Sequence, residues 1–206
     1  MKPGKIVGIY LAAGNSSRFG SNKLEQILHG QALGSIALKT ALQSKLDQII
    51  VVTKPKDKLD WITQQFQSLY KNKLIITSCK RAQDGQAYSL MCGLKKSEQL
   101  GAQAIVVLLA DQPFIASTMI DGLIKQFVQA VEIPFIASSI KGIFHPPILF
   151  HKKIFPLLLA ELSGDRGAHY FIKKHLHDGK FIHYTNPVPF IDIDTKEDFE
   201  CICLIE

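Results

Sequence analysis

No two of the four cysteines, Cys79, Cys92, Cys201 and Cys203, stand at CxxC spacing, and none has a histidine flank of zinc-site type. The seven histidines include no HExxH pair. There is no GxSxG elbow for a serine nucleophile and no GxxxxGK[ST] phosphate loop. Long apolar runs are missing as well. Met1-Lys2-Pro3-Gly4-Lys5 leads into a short apolar stretch, Ile6–Leu11, well below the ~20 residues of a membrane span or the apolar core of a signal peptide. No membrane association and a cytoplasmic location with reduced thiols are therefore expected. Basic residues do not cluster with aromatics. The densest group, Lys54, Lys56 and Lys58, has no ring between its members, so a nucleic-acid stacking platform is not expected. Internal repeats, low-complexity tracts and Pro/Gly/Ser linkers are absent, and the chain reads as one domain over residues 1–206.

What is present is a well-stocked core and an excess of positive charge. Of the 206 residues 47% are hydrophobic, and 24 Lys and Arg face 18 Asp and Glu for a net charge of +6. That balance suits anionic ligands. Short β-branched runs at Ile6–Leu11, Gln48–Thr53, Leu74–Ser78, Ala104–Leu109 and Phe135–Ser139 alternate with segments of helical spacing near Gly34–Ser44, Lys58–Leu69, Gln86–Lys96 and Thr118–Ala130. Several strands are apolar throughout, as strands covered on both faces are. The pattern predicts an α/β fold: a doubly wound, mostly parallel sheet in a three-layer α/β/α arrangement. The last third is less regular, with a run at Ile148–Phe150 after Pro146-Pro147, helical stretches near Lys152–Glu161 and Gly167–His177, and a strand at Phe181–Tyr184. Thr195 stands ready to cap a final helix with Glu197 and Asp198 in its first turn.

In such a sheet ligands bind outside the carboxyl ends of the strands, and the unusual polar clusters fall there. Leu11-Ala-Ala-Gly-Asn-Ser-Ser-Arg-Phe-Gly-Ser-Asn-Lys23 follows the first strand. Ala12, Ala13 and Gly14 let a ligand approach the main chain and its N–H groups. Arg18 offers a planar donor fork and Lys23 a compact ammonium, two ways of holding phosphate oxygens. An ordinary glycine turn with solvated charges accounts for the same residues. Asp111 ends an apolar strand, where a partly desolvated carboxylate needs a cation or several hydrogen bonds. It reads as a Mg²⁺ ligand beside bound phosphates, or else as a helix cap or Asx turn before Pro113. In Asp192-Ile193-Asp194 the alternation puts both acids on one side of an extended segment. Asp192 is expected on metal and Asp194 in a capping or supporting role. With phosphate binders and acids but no evident nucleophile, the site suits direct transfer between two bound substrates.

The loop Leu11–Lys23 resembles the L-A-A-G-x-S-x-R-x-G-x-x-K signature of MobA-like nucleotidyltransferases. Further segments resemble the molybdenum cofactor cytidylyltransferase branch: Gly85-Gln86-Ala87-Tyr88-Ser89-Leu90-Met91-Cys92-Gly93-Leu94, Leu109-Ala110-Asp111-Gln112-Pro113, Leu162-Ser163-Gly164-Asp165-Arg166-Gly167-Ala168 and Asp192-Ile193-Asp194-Thr195-Lys196-Glu197-Asp198. The resemblance implies a Rossmann-like nucleotidyltransferase fold and Mg²⁺-dependent transfer of CMP from CTP to molybdenum-loaded molybdopterin, with release of pyrophosphate and a molybdenum hydroxylase as receiving partner. It implies a nucleotide site of Leu11, Ala12, Ala13, Gly14, Arg18, Lys23, Gly85 and Ser89, with Arg18, Lys23 and Asp111 catalytic and Asp111 and Asp192 on the metal. Gly164, Asp165, Gly167 and His169 would form the acceptor side. This chain departs from the family there: His169 stands where an arginine is usual, Glu25–Gln31 is less basic, and Lys141-Gly142-Ile143-Phe144 is bulkier than the usual glycine-rich loop. Alternatives are GTP as donor, a sugar or polyol phosphate as acceptor, or a non-catalytic carrier of the molybdenum cofactor.

Overall fold

A computed structural model of the chain describes residues 4–14, 16, 18–130, 132–164 and 166–203. Its strands are β1 (Ile6–Leu11), β2 (Ile27–Leu28), β3 (Gln31–Ala32), β4 (Gln48–Thr53), β5 (Leu74–Ser78), β6 (Ala104–Leu109), β7 (Phe135–Ile140), β8 (Ile143–His151) and β9 (Lys180–Tyr184). The α-helices are α1 (Leu33–Gln43), α2 (Gln64–Leu69), α3 (Gln86–Gln99), α4 (Ser117–Gln129), α5 (Phe155–Glu161), α6 (Ala168–Lys174) and α7 (Lys196–Cys203). A seven-stranded sheet runs β5-β4-β1-β6-β8-β7-β9, and β2 and β3 form a separate small hairpin. β8 is antiparallel to both its neighbours, while the remaining pairings in the large sheet are parallel.

Alternation along β1 explains the layers. Val7, Ile9 and Leu11 face one side, where Leu90 and Leu94 of α3, Leu158 of α5 and Phe171 of α6 cover them. Ile6 and Tyr10 face the other, against Ala37 and Leu38 of α1 and Leu123 and Phe127 of α4. Side chains of this size contribute roughly 1.5–3 kcal/mol each when fully buried, so both faces are strong constraints on register. α3 lies unusually close to the sheet: a Cβ on Gly93 would stand 2.4 Å from Ile9 Cγ2. Only glycine lets that helix approach.

Two segments differ from the sequence reading. Helix α2 begins at Gln64 rather than near Lys58, because Leu59 takes a positive φ of 59° and Trp61 is buried against Gly34 and Tyr10. Thr63 then caps the helix, accepting from the Phe66 amide at 3.2 Å. The Ile148–Phe150 run is part of a nine-residue strand that runs against its neighbours. Pro146 and Pro147 cannot donate to a ladder, and the register slips there, Ala137 facing Ile148 but Ser138 facing His145. The slip carries Phe144 and His145 to the edge of a cleft.

Candidate active site

The switch in strand order lies at β1 and β6, whose ends are in register as Leu11 and Leu109. Ala110 donates its amide to Leu11 O at 3.1 Å, so the loops after these two strands leave side by side. That is the crevice where an open α/β sheet places its ligand. Two adjoining clefts occupy it. The first, about 320 Å³, is lined by Leu11–Gly14, Lys23 and Asp111 on one side and by Ala82–Gln86 and Ser89 on the other. The second, about 220 Å³, has Gln112, Phe144, His145, Ala168, His169 and Asp192 in its wall. Leu11, Gln86 and Leu109 line both.

Lys23 is held in place by local chemistry. Asn22 caps a short 3-10 turn at Lys23–Glu25, accepting from the Leu24 amide at 3.3 Å. Phe19 anchors the preceding loop in a cluster with Leu28, Leu33, Ile193 and Ile202, edge-on to Phe199 of α7. The Lys23 ammonium, in a residue only 7% exposed, then donates to Asp111 Oδ2 at 2.8 Å, to Ile193 O at 2.8 Å and to Asp194 Oδ1 at 3.0 Å. Burial opposes its charge, but Asp111 and Asp194 more than offset this and hold it above the usual lysine value.

The acids take different roles. Asp111 is not spent on capping: α4 starts at Ser117, after Ala116, without a side-chain cap, and Asp111 Oδ2 faces Lys23. Asp194 pairs with Lys23 and, at 3.0 Å, with Arg18. The expected capping role of Asp194 passes to Asp198, whose Oδ2 accepts from the amides of Asp194 and Thr195 while its own amide donates to Thr195 Oγ1. Asp192 accepts from Gln112 Nε2 at 2.9 Å. It meets solvent at the cleft mouth, yet loss of hydration and then the nearby Asp111 charge push its carboxyl up to about 6, against the pull of the Gln112 hydrogen bond.

Gln112 is 1% exposed, and its Oε1 is a buried acceptor with no protein partner. In the sequence it stands out only as a member of the Leu109–Pro113 motif. Its amide nitrogen holds Asp192, while Asp111 stands on the adjoining cleft, and carboxylate oxygens are the donors a hard divalent cation takes together with substrate phosphates. Among the described residues no group of three or more His, Cys, Asp or Glu is arranged to hold a metal ion by itself.

The other expected site residues fall unevenly. Ala12, Ala13, Gly14, Gly85 and Ser89 line the first cleft. The Ala12 amide is not available to a ligand, because it continues the sheet by donating to Val52 O at 2.9 Å. Arg18, with a side chain 71% exposed, stands beside Asp194 rather than in the cleft wall. Gly85 opens α3 at φ 127°, a conformation favouring glycine. His169 lines the second cleft with its ring 6.2 Å from Phe144. Gly164 and Gly167 stand behind that wall: Gly164 O accepts from the Ala87 amide at 3.1 Å, and Gly167 packs on Gln86. Asp165 lies outside the described residues. His145, across from His169, is held below its usual value by burial and then by that second imidazole.

A lysine-anchored acid pair and two adjoining clefts thus stand at the switch point, where an open α/β sheet places its ligand. Residues 8–179 match the MobA-like NTP transferase domain, and the chain belongs to that family of nucleotidyltransferases. It is 35% identical over 205 residues, 98% of either chain, to the purine catabolism protein PucB of Bacillus subtilis. Solved structures with the same fold include 4-diphosphocytidyl-2C-methyl-D-erythritol synthase of Anaerococcus prevotii, with TM-score 0.76 and 17% identity over 98% of this chain and 95% of that one. The manganese complex of Rv0371c from Mycobacterium tuberculosis aligns with TM-score 0.72 and 22% identity over 97% of this chain and 98% of that one. Among the described residues no helix is long and apolar enough to cross a membrane.

Proposed function

We propose that the protein transfers CMP from CTP to the terminal phosphate of molybdenum-loaded molybdopterin, releasing pyrophosphate, with Mg²⁺ held by Asp111 and Asp192. The observation that carries this reading is the placement of Asp111 on the first cleft and Asp192 on the adjoining one, near enough that the Asp111 charge acts on Asp192. Two polyanions must meet at that junction, and the residues present can accept a hard cation there. Bound Mg²⁺ would neutralise phosphate charge and raise the electrophilicity of the α-phosphorus. The mycobacterial neighbour's manganese complex is in keeping with a divalent ion on this fold.

The chain's own groups supply the rest. Ala13 and Gly14 leave room for the triphosphate against the main chain, and Gly85 and Ser89 stand where the base or ribose would lie. Lys23 spends its three N–H groups on protein, so its role is to aim Asp111 while lending positive charge to the cleft. Arg18, on an exposed arm, swings from Asp194 to the phosphates and steadies the leaving pyrophosphate. The attacking phosphate oxygen is already anionic and needs no general base. Orientation and charge neutralisation are then the catalytic contributions. Gln112 fixes the Asp192 carboxylate by its 2.9 Å hydrogen bond. Phe144, His145 and His169 receive the acceptor body; its product would serve a molybdenum hydroxylase, a reading in keeping with the likeness to a purine catabolism protein.

A thermal-shift panel of CTP, GTP, ATP and UTP with Mg²⁺ tests the donor. CTP is expected to stabilise the protein most, and the effect is expected to disappear in Asp111→Ala while that variant still folds. Stabilisation by GTP without CTP would overturn the donor assignment.

A further inference from the structure

Two cysteines meet behind the wall of the first cleft. Cys79 directly follows β5, and Cys92 lies in the second turn of α3. Their thiols cross between the two elements: Cys79 Sγ donates to Tyr88 O of α3 at 3.4 Å, and Cys92 Sγ to Ser78 O of β5 at 3.7 Å. Each thiol thus reaches the backbone of the element next to the other cysteine. Cys79 is 4% exposed and Cys92 half-buried, whereas Cys201 and Cys203 lie exposed on α7. Every lining residue on this side of the first cleft, Ala82, Gln83, Asp84, Gly85, Gln86 and Ser89, falls in the stretch between the two cysteines. None of the chemistry proposed above uses these thiols.

We infer that Cys79 and Cys92 form a dithiol site that a low-molecular-weight disulfide oxidises to an intramolecular disulfide, closing residues 80–91 into a ring and weakening nucleotide binding. The Cys92 thiolate, the more accessible, attacks one sulfur of glutathione disulfide. That S–S bond breaks and one glutathione leaves as its thiol. Cys79 then attacks the Cys92 sulfur of the mixed disulfide and releases the second glutathione. Two electrons pass from protein to oxidant, and the two protein thiol protons end on the two glutathione thiols. Bonding fixes the sulfurs about 2 Å apart. The first half of α3, which carries Gln86 and Ser89, is thereby pulled toward β5. Burial and then the adjacent Cys79 raise the Cys92 thiol above its ordinary value, with the Thr77 hydrogen bond and Lys95 acting oppositely. Exchange is accordingly slow at neutral pH, and the pair stays reduced unless the oxidant is in excess.

The nucleotide half of this inference rests on the proposed function; the crosslink does not. The test uses the full chain carrying Cys201→Ser and Cys203→Ser, treated with excess glutathione disulfide near pH 8.5. Thiol titration and peptide mass mapping read the crosslink, and calorimetry with CTP and Mg²⁺ reads the cleft before and after oxidation. Both thiols are expected to vanish together, with the peptides bearing Cys79 and Cys92 joined and about 2 Da lighter than their reduced sum. The CTP Kd is expected to rise by roughly threefold or more. Dithiothreitol restores both readings, and adding Cys92→Ser leaves affinity insensitive to the oxidant. A stable glutathione adduct on Cys92 with Cys79 free would overturn the dithiol site. A crosslink that leaves CTP affinity unchanged would overturn its coupling to the cleft. If the crosslink forms but the reduced protein binds no nucleoside triphosphate, the nucleotide assignment and the coupling fail while the dithiol stands.

Discussion

Asp192→Asn separates the stability of the site from its chemistry. The Asp192 carboxyl titrates near 6 rather than its usual 3.8, because it has lost hydration and faces Asp111. Such a displacement carries roughly 3 kcal/mol against the charged form. Asp192 meets water at the cleft mouth, so screening reduces this to about 1 kcal/mol. The sign follows from proton linkage. The folded pKa lies above the unfolded one, so the folded chain binds more protons between about pH 4 and pH 6. Stability contributed by this group therefore falls as pH rises through that window and stays lower above it. Asparagine keeps the shape and removes the charge. In EDTA at pH 8 the variant should melt about 2–4 °C higher than the parent, the shift expected of 1 kcal/mol in a chain of this size. Near pH 4 the two should melt together. With Mg²⁺ and CTP added at pH 8 the order should reverse, because only the parent gains a metal ligand. Scanning calorimetry across pH 4–8 reads both effects. A variant that melts lower at pH 8 in EDTA, or a gain equally large at pH 4, would refute the reasoning.

Lys23→Met should lower Tm by about 4–8 °C, from roughly 2 kcal/mol lost when partly hydrated Asp111 and Asp194 lose their shared cation. Transfer should collapse with it, and Lys23→Arg should not restore it, since a planar fork does not fit three acceptors around one ammonium. Tyr10→Phe removes a buried donor from Gly34 O, 2.8 Å away, and should cost about 1 kcal/mol in urea unfolding at unchanged m-value. Gly93→Ala forces a methyl to 2.4 Å from Ile9 Cγ2 and 3.1 Å from Val52 Cγ2, and should cost about 1–3 kcal/mol by the same measurement.

Much of this was readable in the sequence, for physical reasons that also explain the gaps. β1, β4, β5 and β6 are short apolar runs bounded by turns, and their expected bounds match the observed ones. β8 was harder because Pro146-Pro147 interrupts its pattern, and a bulge with two prolines reads locally as a loop. In α2 the helical spacing over Lys58–Leu69 points to an earlier start, but burial of the Trp61 indole bends the chain before Thr63. Within the site, Asp111 stands out because a carboxylate at the end of an apolar strand needs partners, and Asp192 because it alternates with Asp194 along an extended segment. The anchoring of Asp194 by Lys23 was not legible, since 171 residues separate them in sequence. Gln112 was invisible for a related reason: a glutamine beside a proline looks like turn chemistry until the fold buries it against Asp192.

The central claim is most directly tested by pyrophosphate release from CTP, with Mg²⁺ and molybdenum-loaded molybdopterin, by the parent chain and by Asp111→Ala and Asp192→Asn. The parent should release stoichiometric pyrophosphate and yield a cytidylylated cofactor, with losses of about a hundredfold in both variants when both remain folded. Binding of the cofactor without pyrophosphate release, or full turnover in either variant, would contradict it.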